Sequence, residues 1–136
     1  MATVLVVDDS DVVRETLSDV LCDAGHTVLL AEDYESAREQ CDRGGIELII
    51  CDVMLPVRAG AKGRRGQPTT QTGMNTIPEL ALDFPTIPIV AFSGFLSLQD
   101  LEPLKRYGAV EVLTKPCPND QLLSAVNHAL ERHASH

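Results

Sequence analysis

Short apolar, β-branched runs recur at residues 3–8, 27–31, 46–52, 87–93 and 110–114, and each reads as a strand. Between the first two, Val13, Leu17, Val20, Leu21 and Ala24 fall at helical spacing, and Gly25 stands where a left-handed turn would end the helix. Weaker helical patterns follow the later strands: residues 34–43 before Gly44, a short one at 77–83, residues 98–107 before Gly108, and residues 118–132, with Pro118 suited to a first helical turn. Strict alternation of strand and helix, with continuously apolar strands, predicts parallel strands covered by helices on both faces. The architecture is an open α/β sandwich of (βα)5 type. Ligands of such sheets bind beyond the carboxyl ends of the strands, which directs attention to Asp8, Asp9, Glu32, Asp52, Ser93 and Lys115.

A chain of 136 residues suits one domain, taken here as residues 1–136. Its 44% hydrophobic and 23% charged residues exclude a disordered or collagen-like chain. The longest apolar stretch, residues 87–92, contains Pro88 and is too short to span a bilayer. Twenty acids against 11 bases give a net charge of −9, which repels nucleic acid and anionic lipid, so neither is an expected partner. The N-terminus has no basic segment leading into a small-residue cleavage site, and a cytoplasmic protein is expected. Cys22, Cys41, Cys51 and Cys117 form no Cys-x-x-Cys pair, so reduced, mostly buried thiols are expected. The last helical pattern ends near Arg132, with no output domain expected after it.

Residues 57–72 break the rhythm: they hold Arg58, Lys62, Arg64 and Arg65, three glycines, a proline and no acid. With those four bases set aside, the rest of the chain carries −13. The segment reads as a flexible loop, either a solvated insertion, a docking strip for an acidic partner, or a lid that brings Arg58 toward a phosphate.

Asp8, Asp9 and Asp52 are far apart in sequence, yet all end strands expected to be neighbours. Three carboxylates at one edge are costly without a cation, and hard oxygen ligands favour Mg2+ or a similar ion. Lys115 adds a fixed positive charge and Ser93 a hydroxyl donor. These are the parts that phosphoryl transfer requires: a nucleophile, a metal, and groups that stabilise the phosphoryl oxygens.

In type, order and strand position these residues resemble the receiver domain of two-component response regulators. The likeness rests on Asp8-Asp9, on Asp52 in Asp-Val-Met-Leu-Pro, on Ser93 in Ala-Phe-Ser-Gly and on Lys115 in Leu-Thr-Lys-Pro. It implies a stand-alone, CheY-like unit with a flavodoxin-like, doubly wound five-stranded sheet in the order 2-1-3-4-5. It further implies that Asp52 accepts a phosphoryl group from a sensor histidine kinase or a histidine phosphotransfer protein. Asp9, Asp52 and the backbone carbonyl of Met54 would hold Mg2+ or Mn2+, with Asp8 assisting. Lys115 would pair with the phosphoryl group, Ser93 would hydrogen-bond to it, Lys115–Pro116 would be a cis peptide, and a downstream protein target would read the state, with the face from residue 98 to 132 a common place of contact.

The sequence departs from the family in two ways. Val112 stands three positions before the lysine, where the family usually has a rotating aromatic ring; Phe95 is a candidate substitute in the switch. Asp52 and Ser93 are 41 positions apart, about ten more than usual, so that Pro78 should make the third helix start late or kink. Bulky Met54 and Phe95 flank the expected phosphoryl site, which implies a slowly hydrolysed acyl phosphate. Two other readings stand beside this one. A haloacid-dehalogenase-type phosphohydrolase would use Asp9 of Asp9-Ser10-Asp11 as nucleophile, though only Asp120 and Glu131 follow Lys115 as acids. A receiver-like binding module would keep the fold without phosphorylation.

Overall fold

A computed structural model describes residues 2–53, 73–93, 99, 102–114 and 117–134. The basic segment 57–72, Met54, Phe95, Lys115 and the Lys115–Pro116 peptide lie outside the described residues. Five parallel strands form one sheet: β1 Thr3–Val7, β2 Thr27–Ala31, β3 Leu48–Asp52, β4 Ile89–Ser93 and β5 Ala109–Thr114. Their order is β2-β1-β3-β4-β5, with neighbours in parallel register such as Val7 with Ala31 and Val7 with Cys51. The helices are α1 Asp11–Asp23, α2 Tyr34–Arg43, α3 Gly73–Asp83 and α4 Asn119–Ala134, and a 3-10 helix spans Glu102–Tyr107.

Side chains of a strand alternate between faces, so two cores form, one on each side of the sheet. Leu5, Val7, Ile49, Cys51, Ile89 and Ala91 share one cluster with Ala37 and Cys41 of α2 and Ile77 and Leu80 of α3. Val4, Val6, Leu48, Ile50, Val90 and Phe92 share the other with Leu17 and Leu21 of α1 and Leu122, Ala125, Val126 and Ala129 of α4. The central strands β3 and β4 are buried at every residue, which is why they read as continuous apolar runs. The edge strand β2 is only partly buried, with Leu30 exposed.

The helix ends follow local chemistry. Ser10 caps α1, its Oγ accepting from the Val13 N–H at 3.4 Å. Asp33 caps α2 in a reciprocal box with Ser36, whose N–H donates to the Asp33 carboxylate at 2.7 Å. Gly25 follows α1 with φ of 97°, as the sequence predicts. The C=O of Pro118 accepts from Leu122 N–H at 3.0 Å, so this proline precedes the first residue of α4.

Three expectations need correction. The helix expected at 77–83 begins at Gly73 and carries Pro78 inside it, so it does not start late. A proline in the middle of a helix forfeits one backbone bond, and burial of Ile77 and Leu80 offsets that loss. The helix expected at 98–107 is, over Glu102–Tyr107, a 3-10 turn. Pro103 stands in its first turn, where a missing N–H costs no bond. Among the thiols, Cys41 and Cys51 are buried, but Cys22 is exposed and Cys117 half-buried.

Burial pushes the Cys41 thiol up from 9.0 to about 11. Its folded value lies above the unfolded one, so the stabilisation it gives is complete below about pH 9. It is lost as pH rises toward 11, because the unfolded chain releases the proton first. Chemical denaturation at pH 7 and pH 10.5 is expected to show wild type losing about 2 kcal/mol more than Cys41→Ala over this interval. Equal losses in the two proteins would refute the assignment.

Candidate functional site

The carboxyl edge of the sheet gathers the expected residues. β1 ends at Val7, and Asp8 extends its ladder by one bond, N–H to the Ala31 carbonyl at 3.1 Å. The chain then turns sharply into α1, with the Asp8 carboxylate accepting from Ser10 N–H at 2.9 Å. Asp52 is the last residue of β3, and the Val7–Cys51 register places it beside Asp8. One carboxylate oxygen from each of Asp8, Asp9 and Asp52 lies within 4.8 Å of the others. Asp8 and Asp52 are buried and Asp9 half-buried, so solvent screens their mutual repulsion poorly.

Hydrogen bonding extends the edge across the sheet. Asp52 pairs in register with Phe92, and Val53 N–H donates to the Phe92 carbonyl at 3.1 Å, which sets Ser93 next in line at the end of β4. Ser93 is fully buried and pairs in register with Thr114, the last residue of β5. Lys115 is the next residue in the chain.

Arg14 is a contributor that sequence reading missed. From the second turn of α1 its guanidinium reaches back to donate to the Asp8 backbone carbonyl and to the Asp11 carboxylate. It thus ties α1 to the acidic turn and places a positive charge behind the carboxylates. An arginine six residues after Asp8 carries no signal of its own, because only the cap at Ser10 turns that face of α1 inward. Asp11 is engaged with Arg14 and its side chain is 82% exposed, outside the three-carboxylate group. Glu32, at the end of β2, is exposed and also outside that group. Val112 is buried in the core cluster with Ile77, Leu80 and Leu104.

Three hard carboxylate oxygens at this spacing match what Mg2+ or Mn2+ takes from protein ligands, and none of the donors is a softer nitrogen or sulfur. Receiver domains in general bind Mg2+ at such an acidic group.

Comparison with known proteins agrees with this geometry. The response regulator receiver domain family matches residues 4–65. The DNA-binding transcriptional regulator NtrC of Azospirillum brasilense is 29% identical over 129 residues, which are 95% of this chain and 24% of that protein. The chain spans between about a quarter and a half of the curated relatives it matches first. Among solved structures, a response regulator receiver domain protein from Clostridium thermocellum shares the fold, with a TM-score of 0.79, 23% identity, and 97% and 96% of the two chains covered. Chemotaxis protein CheY4 of Vibrio cholerae aligns with a TM-score of 0.77 at 27% identity, covering 95% of this chain and 98% of its own. The family match over residues 4–65 and the shared sheet order make this chain similar to response regulator receiver domains, whose fold it has.

Proposed function

We infer that Asp52 is a phosphoacceptor. The observation that carries this reading is the buried Asp52 carboxylate at the carboxyl edge of β3, within 4.8 Å of oxygens from Asp8 and Asp9. An Asp52 oxygen attacks phosphorus in line, the P–N bond of a phosphohistidine breaks, and the imidazole leaves with the bonding pair. Asp9, Asp52 and the Met54 carbonyl, assisted by Asp8, would hold Mg2+ or Mn2+, which when bound supplies positive charge for the phosphoryl oxygens. Ser93 donates a hydrogen bond to a phosphoryl oxygen, and Lys115 pairs with its charge. Position and charge account for the whole contribution of the protein, since phosphoryl transfer needs little else.

The donor in this reading is a sensor histidine kinase or a histidine phosphotransfer protein in the cytoplasm. Residues 1–136 act as one receiver unit whose phosphorylated state is read by a downstream protein target. No helix among the described residues is long and apolar enough to cross a membrane. The phosphohydrolase alternative requires Asp9 and Asp11 to work together, and the Arg14 pairing of the exposed Asp11 disfavours it.

Intact mass after incubation with a small acyl phosphate donor and Mg2+ tests the reading. Wild type should gain one phosphoryl group and Asp52→Asn none. No gain in folded wild type would leave a binding module, whereas a gain kept by Asp52→Asn and lost in Asp9→Asn would restore the phosphohydrolase.

A further inference from the structure

The start of β5 is joined to helices on both faces of the sheet, and the two joints meet within four residues. On one face, Gly108 (φ 123°) lies so close to α3 that a Cβ built on it would sit 2.3 Å from Ala81 Cβ and 3.9 Å from the Ile77 carbonyl oxygen. Ile77 and Ala81 are four apart, so one row of α3 rests on the turn with only the Ala81 methyl between them. On the other face, Glu111 pairs with His128 of α4 at 3.2 Å. Between these points the sheet is irregular: Ala109 pairs with Ile89 and Glu111 with Val90, leaving Val110 as an extra residue in β5. This bulge turns Val110 and Glu111 both toward α4, since Ala109 and Val112 belong to the α3-side core and Val110 packs on the other.

We propose that Ala81, Gly108 and the Val110 bulge form a joint that carries a displacement of α3 through β5 to α4, in place of side-chain rotation at residue 112. The proposal rests on the phosphoacceptor reading of Asp52. The input end is suitably placed, because Ile77 and Leu80 share a core cluster with Cys51 and Val53, the two neighbours of Asp52 in the chain. At the same end of α3 as Ala81, Arg38 of α2 donates to the Asp83 carboxylate at 2.7 Å, which ties this end of the helix to α2. A methyl against bare backbone has no flexible side chain to absorb a shift, whereas a bulge is a place where a strand can take up one residue of register. Val112 has one side-chain torsion and is fixed in the core, so it cannot signal by swinging between inside and outside. The output is the Glu111–His128 pair, beside a groove also lined by Glu102, Lys105 and Gln121.

The test uses beryllofluoride with Mg2+ as a stable phosphoryl mimic, its binding read by fluorine NMR. Amide exchange at residues 102–114 and the His128 imidazole resonances report the response. Wild type is expected to change exchange at residues 108–111 at least fivefold and to shift His128. Ala81→Gly, which puts slack in the contact, should bind the mimic equally but lose most of that response, while Val112→Ala should keep it. A full response in Ala81→Gly, or its loss in Val112→Ala alone, would overturn the joint. So would a silent 102–114 region in wild type that visibly binds the mimic. If Ala81→Gly does not fold, Glu111→Gln replaces it: the exchange change at Gly108 should survive and the His128 shift vanish, and the reverse would refute the proposal. No bound fluorine signal in wild type would overturn the phosphoacceptor reading itself, and the joint with it.

Discussion

Gly108→Ala should be a severely damaging single-methyl change, costing about 2–6 kcal/mol. Two physical terms add. The new Cβ would overlap Ala81 Cβ at 2.3 Å, and forced overpacking of this kind costs about 1–3 kcal/mol. The backbone at φ of 123° lies where side chains are strained, at a further 1–3 kcal/mol or so. Against a total stability on the order of 5–15 kcal/mol, that is a large fraction. Urea unfolding followed by far-UV circular dichroism should show a lower midpoint with an unchanged slope. The double variant Gly108→Ala with Ala81→Gly removes the overlap but keeps the backbone strain, so it should recover about half of the loss attributable to the overlap and strain together. A Gly108→Ala protein within about 0.5 kcal/mol of wild type would show that α3 and β5 are not in direct contact.

Asp9→Asn is expected to make the metal-free protein more stable, by about 1–3 kcal/mol, while removing its response to Mg2+. Unit charges 4.8 Å apart repel by roughly 3 kcal/mol at an effective dielectric of about 20, and the partial exposure of Asp9 lets solvent take up part of its repulsion. Asp9 is the informative position because it is half-buried. Asp8 is fully buried and also holds the Ser10 N–H, so its replacement confounds repulsion with a lost turn contact. In wild type, Mg2+ at about a hundredfold excess over Kd should stabilise by about 2.7 kcal/mol through binding to the folded state alone. Thermal unfolding with and without Mg2+, for both proteins, checks all of this. A destabilised metal-free Asp9→Asn would mean that the cluster is already neutralised by other contacts.

Much of the site could be read along the chain because its residues end strands. Asp8, Asp52 and Ser93 each close an apolar run, and parallel neighbours bring run ends together whatever the details of packing. Asp11 illustrates the opposite case, since Asp9-Ser10-Asp11 as a string supports a two-acid motif. The cap at Ser10 starts a helix between the two, and helical geometry sends Asp11 outward to Arg14. The helix expected at 77–83 starts earlier and the one expected at 98–107 is 3-10 over Glu102–Tyr107, for a related reason. Pro78 is a local signal against α-helix, yet buried Ile77 and Leu80 hold α3 through it, while Glu102–Tyr107 settles as 3-10.

Hydrophobic periodicity alone determined that this protein alternates strands and helices, that its sheet is parallel and covered on both faces, and that acids collect at one edge. Those features depend on side-chain spacing within single elements, which a linear pattern records. Tertiary structure decided that Arg14 backs the acidic turn, that Gly108 bears on Ala81, and that a bulge at Val110 turns Glu111 toward His128. Each of these depends on the distance between two elements and the angle at which they meet, quantities set by how whole faces pack together and carried by no local run of residues.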